Sequence, residues 1–245
     1  MNTTGKENKK ITLLGFCHGA IPVVTEIANE LFGCNFFDIV KNIEVKTPDR
    51  AYQRADLNFS IHKDSQYDFH PNENNYFFGV LDSHIKYILY HYFKRFHEIQ
   101  KSRYINMIHP SSYFAGSSEK ENGFLLEPLC VVSSFCKIGF GVTVKRSSSV
   151  GHHAVLEDFA TINPGVKISG NVQIGEGATI GTGATLINNI TIGKHTLIGA
   201  GSVVTKNIPA GVIAYGNPCR VIRKNERWAK ASERLSSMLD NKKPE

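Results

Sequence analysis

Residues 150–204 read VGHHAVLEDFATINPGVKISGNVQIGEGATIGTGATLINNITIGKHTLIGAGSVV, and every sixth position in them is aliphatic. The series reaches further back: Leu126, Val132, Ile138, Val144, Val150, Leu156, Ile162, Ile168, Ile174, Ile180, Leu186, Ile192, Ile198 and Val204 are all Leu, Ile or Val. Two positions before most of them stands a small or β-branched residue, as at Val142, Ala154, Ala160, Val166, Val172, Ala178, Ala184, Thr196 and Ser202. Glycine follows directly at 139, 151, 175, 181, 193 and 199. A helix needs apolar residues at i+3 and i+4, and a lone strand alternates every second residue, so neither period competes. Six residues make one short extended face and a turn, the aliphatic side chain inward and Gly, Asn or Ser in turn dihedrals that other residues resist. Three faces close a coil of about 18 residues, and stacked coils form a β-helix.

Outside the repeat the chain changes character. ITLLGF at 11–16 is a short apolar strand ending in a Gly turn, and Ile21, Val24, Ile27, Ala28 and Leu31 have helical spacing closed by Gly33. Residues 35–40 and 77–81 are further strands and 84–99 an apolar helix, which together make a small βαβ domain with a parallel sheet. The polar stretch SSYFAGSSEKENG at 111–123 is the junction, and residues 225–241 form a helix that caps the open end of the coil. The expected fold is mainly β with a small α/β domain: residues 1–110 form the α/β domain, 111–224 the coil, and 225–245 the C-terminal helix and tail.

The 245 residues hold 28 Lys and Arg against 22 Asp and Glu, a formal charge of +6, but the two signs are interspersed. A nucleic-acid surface needs a denser basic stripe, so no nucleic-acid partner is expected. The local excess at Arg220, Arg223, Lys224, Arg227 and Lys230 either meets a phosphate or is a solvated face. No run approaches the ~18 apolar residues of a membrane span, and MNTTGKENKK lacks the apolar core of a secretory signal, so a cytoplasmic protein is expected. Cys17, Cys34, Cys130, Cys136 and Cys219 are odd in number and contain no CxxC pair. That pattern indicates neither a zinc site nor a disulfide framework, and all five are expected to be small structural hydrophobes.

Gly15-Phe16-Cys17-His18-Gly19-Ala20 joins the first strand to the first helix. Such a turn presents unpaired N–H groups and a positive dipole end that can hold a phosphate; its other reading is a tight strand-to-helix connection.

The hexapeptide coil, the ending AGSVVTKNIPAGVIAYGNPCRVIRK at 200–224 and the preceding βαβ domain together resemble the left-handed β-helix acyltransferases. The resemblance is to the sialic acid O-acetyltransferase type, which includes N-acetyltransferases of nucleotide-linked 4-amino sugars. It covers about residues 10–224, with INMIHPS at 105–111 similar to the family's junction and Gly79–Asp82 to its third-strand end. It implies a left-handed coil and a homotrimer that transfers acetyl from acetyl-CoA to the amino group of a nucleotide-linked sugar of the 4-amino-4,6-dideoxyhexose type. The product would serve surface polysaccharide or glycan synthesis, such as lipopolysaccharide. Gly15, His18 and Gly19 would then bind the nucleotide sugar, together with Asp38 toward the ribose or base and Asp82.

The family motif His-x-x-x-[aliphatic]-[Gly/Glu]-Asp falls on His152 through Asp158 and implies His152 as general base, a task that suits an imidazole near neutrality. His153, where relatives carry an acidic or amide residue, is the second catalytic candidate. An 18-residue period stacks Gly170, Asn188 and Lys206 on His152, a column along which a pantetheine arm would lie. Lys206, Arg220, Arg223 and Lys224 would take the cofactor's phosphates. The resemblance adds Gly199 and Ala200 backbone groups and Thr161 as acetyl-CoA contacts, and no metal. Competing readings are O-acetylation of a sugar hydroxyl by the same base, a non-catalytic trimeric scaffold, and a γ-carbonic-anhydrase-like zinc protein. For the last, His152, His153 and His195 lack the second paired cluster that a zinc site needs.

Overall fold

The computed structural model describes residues 10–43, 56–70 and 74–241. Its N-terminal part is a parallel sheet of β1 (Ile11–Leu14), β2 (Phe36–Lys41), β3 (Asn58–Lys63) and β4 (Tyr76–Phe78), in the order β3-β2-β1-β4. Helix α1 (Ile21–Phe32) buries Val24, Ile27 and Ala28 against Ile11, Leu13, Phe37 and Ile39, then stops at Gly33 in the left-handed region at φ 71°. On the sheet's other face Leu14, Val40, Tyr76 and Phe78 join Leu89 and Phe93 of α2 (Ser83–His97) in one core. The strand expected at 77–81 ends at Phe78. There Gly79 is required, because a Cβ would stand 2.1 Å from the Gly15 carbonyl oxygen.

From Met107 to Val204 the chain winds as a three-sided, left-handed parallel β-helix of two-residue rungs. The first face carries the rungs at 107–108, 125–126, 143–144, 161–162, 179–180 and 197–198. The second carries 113–114, 131–132, 149–150, 167–168, 185–186 and 203–204, and the third 119–120, 137–138, 155–156, 173–174 and 191–192. Each rung pairs with the same position one coil on, Thr143 with Thr161 and Val155 with Gln173. All fourteen aliphatic positions from Leu126 to Val204 are buried in a single core. Each is worth roughly 1.5–3 kcal/mol of transfer free energy before chain entropy is charged against it.

The glycines after the inward residues have a different role from the one expected. They provide clearance: a Cβ on Gly151 would lie 2.5 Å from the Ser169 carbonyl carbon of the next coil. The left-handed turn residue stands elsewhere, three positions before each inward residue, and is often not glycine, as at Leu129, Phe135, Ser147, His153, Phe159, Asn171, Asn189 and His195.

Two boundaries also move. The presumed junction at 111–123 is coil, since the rungs at Tyr113–Phe114 and Glu119–Lys120 pair with Val131–Val132 and Lys137–Ile138. Helix α3 (Glu226–Asn241) does not cap the open end. It lays Ala231, Leu235, Met238 and Leu239 along Ile85 and Ile88 of α2, because its apolar spacing matches a stripe that α2 leaves uncovered. The end of the coil is packed instead by Ile208, Val212 and Cys219, the last two from the hairpin Val212–Gly216/Cys219–Lys224. Residues 242–245 of the tail lie outside the described residues.

The two parts are joined on the first face. Ser83 at the start of α2 donates its Oγ hydrogen bond to Thr161 Oγ1 at 2.9 Å and lies 3.0 Å from Thr179 Oγ1. One turn on, the Lys86 ammonium donates to the Gly141 carbonyl at 2.5 Å and to Thr143 Oγ1 at 2.9 Å. Phe140 and Phe159, on the edge between the third and first faces, enter the core beneath α2.

Candidate active site

His152 and His153 occupy the turn between the second and third faces, and both side chains are exposed. Their Nδ1 atoms are 3.0 Å apart, with the rings nearly perpendicular at 87°. The turn is pinned from both sides: His153 N–H donates to the Ser134 carbonyl at 3.0 Å, and the His152 carbonyl accepts from Asn171 N–H at 2.9 Å. His153 has φ 58° and lays its ring against Phe135 of the preceding coil, centroids 5.1 Å apart. His152 lies over Gly170, where a Cβ would stand 2.5 Å from both Cε1 and Nε2. The room at Gly170, expected for a pantetheine arm, is therefore first of all room for the imidazole.

The remaining candidates divide between two edges of the second face. Gly170, Asn188 and Lys206 follow His152 down the edge between the second and third faces, with Asn188 and Lys206 exposed. Gly199 and Ala200 lie in the turn between the first and second faces, on the opposite side of the second face. Thr161 is on neither edge: it is buried under α2, bonded to Ser83 and 3.4 Å from the Leu81 carbonyl, so its hydroxyl serves domain docking. His195 is on the third edge, stacked 3.9 Å from Trp228 at 8° between ring planes, far from the histidine pair.

In the N-terminal domain the turn 15–19 is open at one end and packed at the other. Gly15 has φ 82°, and a Cβ there would meet Leu89 at 2.4 Å, so it is needed for packing. Gly19 is exposed with open space before it. The Ala20 and Ile21 N–H groups both turn back to the Cys17 carbonyl and Pro22 has none, so these three positions offer an anion nothing. His18 packs edge-on to Phe16, and its Nε2 is buried without a hydrogen-bond partner. Cys17 is the exposed cysteine; Cys34, Cys130, Cys136 and Cys219 are buried, as small hydrophobes would be.

Asp38 is not at the mouth of the sheet. It stands in mid-strand opposite Thr12 and Ser60, bound by Lys10 at 2.7 Å, Tyr67 at 2.9 Å and His62 at 3.1 Å. Burial raises its carboxyl, but these hydrogen bonds outweigh burial and hold it below the usual carboxylate range. Asp82 is exposed before α2, with its carbonyl accepting from Lys86 N–H.

The coil also carries a set of polar residues that the repeat pattern did not single out. Glu127, Lys145 and Asn163 stack at the edge between the first and second faces, one per coil, in the same column as Gly199. Lys145 Nζ donates to Asn163 Oδ1 at 2.9 Å. Glu127 is buried: Oε2 accepts from the Arg146 backbone at 3.1 Å and guanidinium at 3.3 Å, while Oε1 has no partner. Burial lowers the Lys145 ammonium, against the pull of Glu127 and Asp82. The available signal was positional: three polar residues, each directly after an inward one, at an 18-residue interval.

Comparison with known proteins agrees with this architecture. Residues 153–188 and 171–206 match the family described as bacterial transferase hexapeptide (six repeats). A segment of 74 residues is 39% identical to the bifunctional protein GlmU of Geotalea uraniireducens, covering 28% of this chain and 16% of that protein. Among solved structures, a histidine-to-asparagine mutant of perosamine N-acetyltransferase from Caulobacter crescentus, in complex with CoA and GDP-perosamine, is similar with a TM-score of 0.72 at 23% identity, over 87% of this chain and 97% of that one. The acetyltransferase domain of PglB from Neisseria gonorrhoeae, in complex with acetyl coenzyme A, is similar with a TM-score of 0.68 at 24% identity, over 88% of this chain and 100% of that one. Among the described residues no helix is long and apolar enough to cross a membrane. Residues 153–206 of the coil match bacterial transferase hexapeptide repeats, and the chain, from its small parallel sheet to the end of the coil, shares the left-handed β-helix fold of these two acetyltransferase structures.

Proposed function

We propose that this protein transfers the acetyl group of acetyl-CoA to the amino group of a nucleotide-linked amino sugar of the 4-amino-4,6-dideoxyhexose type, in the cytoplasm, for glycan synthesis. The observation that carries the reading is the seat of His152, an exposed imidazole held from both neighbouring coils with its Nε2 edge over Gly170. The similar C. crescentus protein, matched over both domains, was crystallised with CoA and GDP-perosamine, which supports a nucleotide sugar as acceptor. The amine nitrogen attacks the thioester carbonyl carbon, and His152 Nε2 removes its proton. The C–S bond breaks, and the thiolate leaves as CoA with that proton.

The site needs a second copy of the chain. In this reading Lys145, Gly199 and Ala200 stand at one edge of the second face and His152 at the other, so the two walls of the site come from different chains. The second face and its edges expose Tyr113 (61%), Val131 (43%), Leu129 (66%) and Phe135 (59%), apolar surface of the kind an interface covers. Packed in a ring on this face, each chain sets its His152 edge against its neighbour's Gly199 and Lys145 edge, and three chains close the ring. Acetyl-CoA then lies in the groove between coils, with Gly170, Asn188 and Lys206 on one wall and Gly199 and Ala200 on the other.

The test is thiol release from acetyl-CoA with UDP-, GDP- and dTDP-linked amino sugars. His152→Ala should lower kcat by roughly 10²–10⁴ while acetyl-CoA affinity stays close to wild type. No turnover with any amino sugar, or full activity in His152→Ala, would refute the assignment.

A further inference from the structure

From the 3.0 Å contact between His152 Nδ1 and His153 Nδ1 we infer that His153 is a positioning residue that selects the tautomer of the base: His152 can accept a proton at Nε2 only while its own Nδ1–H is donated to His153. The inference rests on the reading of His152 as general base. A neutral imidazole has one N–H, so this bond runs in one of two directions. If His152 donates, its Nε2 carries a free lone pair. If His153 donates, His152 holds its proton on Nε2 and offers the acceptor no basic nitrogen. A carboxylate in place of His153 would only accept and would fix the productive direction; an imidazole permits both.

Protonation makes the choice one-sided. A doubly protonated His153 can only donate, so it turns His152 into the wrong tautomer without touching either substrate. Protonation of His152 itself also removes the base, so both forms of the singly charged pair are inactive. Within the chain the turns above and below, Ser134–Phe135 and Gly170–Asn171, carry no titratable side chain; in the proposed ring the charged groups facing the pair are those of the neighbouring chain's Lys145 edge. His153 cannot swing away freely, being held in the left-handed region with its N–H on Ser134 and its ring on Phe135. In turnover the acceptor's proton arrives at His152 Nε2, the imidazolium keeps its Nδ1–H on His153, and the Nε2 proton leaves with the CoA thiolate, which restores the starting tautomer.

Two readouts on the full-length protein test this. Nitrogen-15 spectra of histidine-labelled protein, with the two rings assigned by their loss in His152→Ala and His153→Ala, should show His152 protonated at Nδ1 and bare at Nε2 on the alkaline plateau. In kinetics, His153→Phe should lose roughly 10–100-fold in plateau kcat, the scale of a lost orienting partner. His153→Asp, which can only accept and suits a left-handed turn, should restore kcat to wild type or above. The Asp charge favours the imidazolium of His152, so its acid limb should move to higher pH than in wild type. A plateau spectrum with His152 protonated at Nε2, or a His153→Phe enzyme with the wild-type rate and pH profile, overturns the inference. Full activity in His152→Ala instead overturns the general-base reading, and the nitrogen spectrum still decides the direction of the bond.

Discussion

Lys86 is a charge enclosed between two domains, with neutral oxygens as its hydrogen-bond acceptors. Burial, and secondarily the nearby Lys145, push its ammonium down to about 7 from an ordinary 10.5, against the pull of Asp82. Between those two values the unfolded chain binds a proton that the folded chain does not, so stability rises with pH across that window and this group's cost is complete below pH 7. Lys86→Met should remove this group's share of that rise and add about 1–4 kcal/mol at neutral pH, by analogy with other buried charges replaced by apolar side chains. Urea titrations from pH 6 to 10 would show it; an unchanged slope would mean that the ammonium is matched better than its contacts suggest. At this scale the sequence was readable only where a residue type broke its local pattern. His152 stood out as a polar doublet in a turn. Lys86 did not, because HIKYILY is an ordinary amphipathic helix until the coil docks against its lysine. Asp38 was misplaced for a related reason: its partners Tyr67 and His62 come from segments whose sequence carries no strong pattern.

Among the elements, α3 is held by its apolar stripe on α2 and, at its start, by one aromatic wedge. Trp228 is buried, stacks on His195 and fills the space over Gly177, where a Cβ would come within 2.1 Å of the indole. Trp228→Ala should cost about 3–5 kcal/mol and release α3 while leaving the coil wound. Hydrogen exchange would then report fast amides in 226–241 beside unchanged ones in 126–204; uniform loss would mean that α3 supports the whole fold. The coil's register was legible residue by residue, since each inward aliphatic position is buried whatever its neighbours do. Its start was not, because the sixth residue before Leu126 is Lys120, which sits at the open end and reaches over the Phe114 ring, breaking the apolar period. Strand β3 escaped notice because NFSIHK is an edge strand with no continuous apolar run.

For the whole molecule, a shared site predicts complementation between two inactive proteins. His152→Ala supplies an intact acceptor edge, and Lys145→Ala, expected to disable that edge by freeing Asn163 Oδ1 and removing a cation beside Glu127, supplies an intact base. Unfolded together and reassembled, the mixture should recover part of the activity that each lacks alone. Sedimentation should show trimers throughout, and a stable active monomer would refute the shared site. The parallel sheet and the coil were readable as separate grammars, but the seam between them was not. Its polar part is Ser83, Thr161, Thr179 and Lys86 and its apolar part includes Phe140 and Phe159, residues chosen for fit across a boundary rather than for any local period.

Because every rung lies on its equivalent one coil away, the distance from His152 to Lys206 is counted in whole coils, at about 4.8 Å each. The chain therefore works as a ruler with fixed graduations. Removing a full coil between the two would shorten the span by one graduation and leave both on the same edge. Removing a single hexapeptide would keep every aliphatic residue inward and cost little in the core, yet rotate everything beyond it by a third of a turn. The fold would survive that loss while its chemistry was delivered to the wrong side, so the length of this protein is constrained by phase rather than by stability.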